Sequence, residues 1–156
     1  MKKPLLILTA SFLLIFPCVS GCGNAKFSTS FVEGVITLDG APLDGAVVKF
    51  SPKSDGGGAV YAQGQTNSNG RYLLTAMQGG GADKGTTPGE YVVLVAKTET
   101  RKLDKPRELM GGGPPVTEET VSVLPKVYND NRAAKLSATV VSGKNKFDFD
   151  LDSKAK

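Results

Sequence analysis

From Val32 onward the chain is written in short segments of alternating apolar and polar residues, cut by Gly, Pro, Asn and Asp. Alternation at period two marks strands with one face buried, because successive side chains on an extended chain point to opposite sides. The pattern predicts strands at 32–38, 46–52, 59–66, 71–76, 90–97, 136–142 and 146–151. Phe147, Phe149 and Leu151 alternate with Asp148, Asp150 and Asp152, so one face is expected in the core and the acidic one in water, where it opposes edge-to-edge aggregation. Ala46, Val48 and Phe50 share a face in the same way. Tyr91 to Ala96 is apolar on both faces, as a central strand or one crossed by a covering loop would be. Asp39-Gly40, Asp44-Gly45 and Asn67-Ser68-Asn69-Gly70 read as turns, the glycines accepting the positive φ that tight turns require.

Seven short strands with polar outer faces bury their inner faces only by stacking as two sheets. The expected core is Tyr72, Leu74, Tyr91, Val93, Val95, Leu136, Ala138, Val140, Phe147 and Phe149. Residues 98–135 form a long insert in this scheme, with Glu118 to Val123 as an extra edge strand. Its Gly111-Gly112-Gly113-Pro114-Pro115 is compatible with neither helix nor central strand.

The first residues follow another rule. Lys2 and Lys3 precede a run, Leu5 to Phe16, that is apolar apart from Thr9 and Ser11. It is shorter than the roughly 20 residues of a membrane-spanning helix, which disfavours an uncleaved anchor, and it reads as the apolar part of an export signal. Val19-Ser20-Gly21-Cys22 then resembles a bacterial lipobox. In signals of that family the chain is cut before the cysteine and the cysteine is acylated. The resemblance therefore implies a signal peptide over 1–21, a lipid on Cys22 and a polar tether over 22–30. An ordinary signal peptide cut near Ser20-Gly21 is the competing reading. Two or three acyl chains hold firmly, at about 0.8 kcal/mol per buried methylene. Gly23 follows Cys22; Asp there retains lipoproteins at the inner membrane in some bacteria, so outer-membrane placement is favoured.

Composition narrows the chemistry. The 156 residues include 19 Gly and 9 Pro, which suits one turn-rich β domain. Without 1–21 there remain 17 basic and 15 acidic residues, a net +2 with no concentrated basic stretch, so no nucleic-acid partner is expected. Both cysteines, Cys18 and Cys22, lie in the signal and anchor, which leaves the exported domain without thiol or disulfide chemistry. There is no His, which removes the commonest general base and the commonest zinc ligand.

Beyond Cys22 the sequence then suggests no catalytic, cofactor or metal site. Gly79 to Thr86 has the glycines and lysine of a phosphate loop, but Lys84 precedes Gly85 and Pro88-Gly89 leads into a strand, so a flexible connection is expected. Asn67, Asn69 and Asp130 carry the oxygens of a calcium loop without its converging carboxylates; turn-forming hydrogen bonds account for them. Asp148, Asp150 and Asp152 are spaced about 7 Å apart along a strand, too far to share one ion. Glu118-Glu119 cannot face each other across a sugar, because neighbours on an extended chain diverge. Tyr61 and Tyr128 are the aromatics not placed inward, and core or rim packing is expected of them over sugar stacking.

The run Gly34 to Val48 (GVITLDGAPLDGAVV), with Thr66 to Tyr72 and Pro88 to Val93, resembles the carboxypeptidase regulatory-like domains, which are small transthyretin-like sandwiches. Leu124-Pro125-Lys126-Val127-Tyr128-Asn129 and the stretch from Leu136 to Leu151 are similar to a subgroup of short bacterial lipoproteins built on such a domain. The resemblance implies an all-β, seven-stranded Greek-key sandwich over 31–152 with a short tail at 153–156, and a role in envelope attachment or binding. The implied function is a non-enzymatic, membrane-anchored envelope lipoprotein whose partner is an envelope protein or a glycan; the alternative is a carbohydrate-binding module at the cell surface. Purine-degrading hydrolases of transthyretin type use His residues and a C-terminal Tyr-Arg-Gly-Ser; this chain has neither. Binding is expected through loops 53–58, 78–88 and 98–135.

Overall fold

A computed structural model describes residues 28–54, 58–77, 83–108 and 110–156. The expected signal over 1–21, Cys22 and the tether as far as residue 27 lie outside the described residues.

The described chain is all β. In order it forms β1 (Phe31–Leu38), β2 (Ala41–Pro42), β3 (Val47–Pro52), β4 (Ala62–Gln65), β5 (Arg71–Leu73), β6 (Thr75–Ala76), β7 (Gly89–Ala96), β8 (Thr98–Arg107), β9 (Val116–Ser122), β10 (Leu136–Val140), β11 (Lys144–Lys146) and β12 (Phe149–Leu151). A 3-10 turn at Lys126–Tyr128 separates β9 from β10. In the first sheet β1 is central, antiparallel to β2 and β5 on one side and parallel to β11 and β12 on the other. The second sheet runs β10-β7-β3-β4-β6 and is antiparallel throughout. β8 and β9 pair only with each other, as a separate ribbon.

The two five-stranded sheets enclose one core. Val32 and Ile36 from β1 meet Val48, Phe50, Tyr91, Val93 and Val95 from the second sheet, all fully buried. The Phe50 ring sits 5.7 Å from that of Tyr91 and 6.0 Å from that of Phe147, both tilted, a favourable arrangement for aromatic quadrupoles. Of the ten core residues read from the sequence, seven are buried. Leu136, at the start of edge strand β10, Phe147, in the break between β11 and β12, and Phe149, at the start of β12, are half-buried against the same cluster. Tyr128 is buried, its hydroxyl accepting the Asp152 N–H at 2.9 Å, while Tyr61 is exposed.

Several strands end where a side chain takes over a ladder bond. The expected 59–66 strand begins only at Ala62, since Val60 N–H donates to Thr87 Oγ1 (3.0 Å) and Val60 carbonyl accepts Thr86 Oγ1 (2.9 Å). Both hydroxyls also lie 3.1 Å from the buried Tyr91 hydroxyl, which donates to the Thr87 carbonyl at 2.8 Å. The expected 146–151 strand splits into β11 and β12 at residues 147–148, where Asp148 Oδ1, not a backbone carbonyl, accepts the Val35 N–H at 2.9 Å. Register is unchanged across the break, Glu33 opposing Lys146 and Ile36 opposing Phe149.

The turns form as read. Asp39 (φ 51°) and Gly40 (φ 80°) both adopt positive φ between β1 and β2, the geometry of a two-residue hairpin turn. Asn67 Oδ1 accepts the N–H groups of Asn69 and Arg71, each at 3.0 Å, closing an Asx turn.

The largest departure from the sequence reading is in 98–135. The expected insert with one edge strand holds two strands, β8 and β9, of which the extra strand read at 118–123 is the second. The Gly-Gly-Gly-Pro-Pro run lies in the connection between them. Arg101 opposes Glu119 and bonds it at 2.7 Å, and Lys102 opposes Glu118. The ladder slips between Lys102 and Arg107, where Pro106 offers no N–H.

Candidate functional site

Strand direction gives the molecule two distinct ends. β1 starts beside Ser30, whose N–H and carbonyl pair with Thr86, and it carries the chain about 26 Å away. Around its start lie Lys53 and Ser54 after β3, residues 83–88 before β7, and the 141–143 crossing from β10 into β11. Around its far end lie Asp39-Gly40, Asp44-Gly45, the Asx turn, the root of the ribbon, the 3-10 turn and the C-terminus. The loops expected to bind are divided between the ends: the described parts of 53–58 and 78–88 lie at the near end, and 98–135 at the far end.

The far end contains a surface cavity of about 380 Å³ lined by Ser122, Lys126, Asn129, Asp130 and Asn131. Asp130 Oδ1 accepts the Arg132 N–H at 2.9 Å, which shapes the turn, as the turn reading of this residue anticipates. The Ser122 hydroxyl donates to the Leu124 carbonyl at 2.9 Å. Lys126, Asn129 and Asn131 are exposed and bring ammonium and amide donors to this cavity, a set suited to oxygen-rich ligands. Nearby, Asp39 Oδ1 accepts the Ser153 N–H at 3.0 Å. Bonding to Ser153, by backbone and then side chain, with the Lys154 charge, holds its carboxyl below the usual carboxylate range.

A second depression of about 380 Å³, on the outer side of the first sheet, is lined by Val35, Thr37, Asp148, Phe149 and Asp150. Its carboxylates are engaged. Asp148 bonds Val35 and, at 2.8 Å, Lys146; Asp150 Oδ1 accepts the Thr37 hydroxyl at 2.6 Å and the Gly40 N–H at 3.3 Å. The acidic face is exposed, as the alternation predicts, but two of its members also bond β1, and Asp152 Oδ1 accepts the Lys154 N–H at 2.7 Å. Glu118 and Glu119 face opposite sides of the ribbon. Among the described residues no three His, Cys, Asp or Glu side chains gather as a metal site. Of the glycine-rich run, 79–82 lies outside the described residues; Gly85 pairs backbone to backbone with Leu74, and its N–H gives that carbonyl a 2.7 Å bond.

The sequence reading passed over Asn145. Its Oδ1 accepts the Val141 N–H (2.9 Å) and its Nδ2 donates to the Val141 carbonyl (2.8 Å), with longer contacts of 3.4 Å to the Gly143 and Phe31 carbonyls. One side chain thus clamps the crossing between the sheets at the near end. The flanking Lys144 and Lys146 gave no pattern to find it by; the Ser142-Gly143 turn before it is the only sequence signal.

Comparison with known proteins adds little. No protein-family model matches the chain, and no curated protein matches it. Among solved structures it is similar to a 9R-lipoxygenase from Cyanothece PCC8801, at 14% identity and a TM-score of 0.38. The match covers 80% of this chain and 16% of that one, and likeness at that level carries no argument about either fold or activity.

Proposed function

We propose that this protein is an envelope lipoprotein that works by binding and not by catalysis. Residues 1–21 are removed, Cys22 is acylated, and a domain of the carboxypeptidase regulatory-like, transthyretin-like kind is displayed from the membrane. The outer membrane is the favoured site. In this reading the ten strands of the two main sheets answer to the seven-stranded Greek-key sandwich of that family, with β5–β6 and β11–β12 each an interrupted single strand and the two-residue β2 left out, and the ribbon is an addition to it. One observation carries the proposal: the described chain starts at one end of the domain, while the ribbon and the Ser122–Asn131 cavity stand at the other. An anchored binding module needs that separation. The lack of His throughout, and of Cys beyond residue 22, supports a non-catalytic role.

The test is membrane fractionation and mass spectrometry of the native chain beside Cys22→Ser. The native chain is expected in the membrane fraction with an acylated Cys22 at its N-terminus, and the variant in the soluble fraction. An unacylated mature terminus overturns the proposal.

The cavity favours a second reading, a carbohydrate-binding module, since Lys126, Asn129 and Asn131 suit the hydroxyls of a sugar. A glycan array probed with the chain from residue 23 onward separates the two. Binding to one glycan class, lost in Asn129→Ala, selects the second reading; a flat array removes it.

A further inference from the structure

Four large apolar side chains stand well exposed among the described residues: Tyr61, Met77, Met110 and Val141. Met110 is in the connection at the tip of the ribbon. The other three, each 58–61% exposed, lie at the near end. The pairing there is continuous: Lys144 opposes Phe31, Thr86 opposes Ser30, Lys84 opposes Thr75, and Met77 N–H donates to the Tyr61 carbonyl at 2.8 Å. Tyr61 and Met77 lie side by side where β4 begins and β6 ends, at one edge of the second sheet, and Val141 follows β10 at the opposite edge of the same end. Val141 is held in place by the Asn145 clamp. A single exposed apolar residue is ordinary, but three spread across one end of the domain need a partner or a reason.

We propose that this end of the domain rests on the headgroup layer of the bilayer, with Tyr61, Met77 and Val141 at the lipid interface and the ribbon directed away. The inference rests on acylation of Cys22. Six residue steps separate Cys22 from Ser28, so Ser28 lies at most about 20 Å from the anchored residue. β1 alone is longer than that, so the near end stays close to the membrane in every orientation in which β1 points outward. Charge does not select the surface. Lys53, Lys84 and Lys144 are matched in part by Asp83 and Glu90, with Lys53 3.7 Å from Glu90. The attraction is that of an amphipathic tyrosine and two aliphatic side chains for the interface, where long lysines keep their ammonium groups in water.

The experiment uses the full lipidated chain in phosphatidylcholine vesicles containing a headgroup-nitroxide lipid. A fluorophore is placed at Val141→Cys or, at the far end, at Ser68→Cys, and flotation is measured on the same samples. Flotation of both, with quenching several-fold stronger at 141 than at 68, is expected. Adding Tyr61→Ser and Met77→Ser is expected to leave flotation intact and reduce quenching at 141. Flotation with equal quenching at the two positions overturns the inference and leaves the lipoprotein reading standing. Failure of both to float removes the lipoprotein reading, and this inference with it.

Discussion

Gly34 shows how one atom decides local structure. It occupies an inward position on β1 between Val32 and Ile36, and a Cβ there would overlap the Phe147 carbonyl oxygen and come within 2.9 Å of Tyr72 Cε1. The space it leaves lets the Tyr72 ring pass beneath β1, so that its hydroxyl donates to the Phe147 carbonyl at 2.8 Å. That carbonyl lies at the break between β11 and β12 and is without a ladder partner on this side. Gly34→Ala is expected to destabilise the fold by about 3 kcal/mol or more, read as a lowered urea midpoint, because backbone has to move. Burial, and then the negative charge of Asp148, raise the Tyr72 phenol well above its usual value. A raised phenol favours the folded state fully below its unfolded pKa of about 10, and that stability is lost as pH rises beyond it. Urea melts are therefore expected to show stability falling above about pH 10, with a shallower fall in Tyr72→Phe. At neutral pH the same variant is expected to lose about 1 kcal/mol, the worth of one hydrogen bond.

At the scale of elements, what makes β8 and β9 a ribbon also explains why the pattern of apolar residues did not predict β8. Their pairs are Thr100 with Thr120, Arg101 with Glu119 and Lys102 with Glu118, so neither face is buried and no period-two apolar signal arises in β8. Glu118 to Val123 was legible because Val121 and Val123 alternate with polar residues. Exposed cross-strand ion pairs contribute little, and a two-stranded hairpin alone is marginal in water. Amides of 99–107 and 116–121 are expected to exchange with deuterium far faster than those of β3 and β7, which have strands on both sides. Mass-resolved exchange checks this; equal protection would mean that the ribbon is packed against something. Arg101→Ala is expected to change stability by less than about 1 kcal/mol.

At the scale of the whole molecule, the single core couples both sheets. Phe50 touches Tyr91 within the second sheet and Phe147 at the edge of the first. Phe50→Ala is expected to cost about 3–5 kcal/mol and to lower the melting of both sheets in one transition, followed by calorimetry. Two separate transitions would show that the sheets fold independently. The same architecture sets the near and far ends apart.

The sequence by itself determined the local grammar of the two main sheets: where their principal strands run, which residues turn the chain, and which face of those strands is apolar. Those follow from φ preferences and period-two alternation, which act over a few residues. Only the tertiary structure decided the long-range matters. Examples are the parallel placement of β11 and β12 on β1, the use of Asp148, Thr87 and Asn145 in place of ladder bonds, and the assignment of loops to two ends. Each depends on residues up to 114 positions apart meeting in space, as Asn145 and Phe31 do, and no short-range pattern encodes such a meeting.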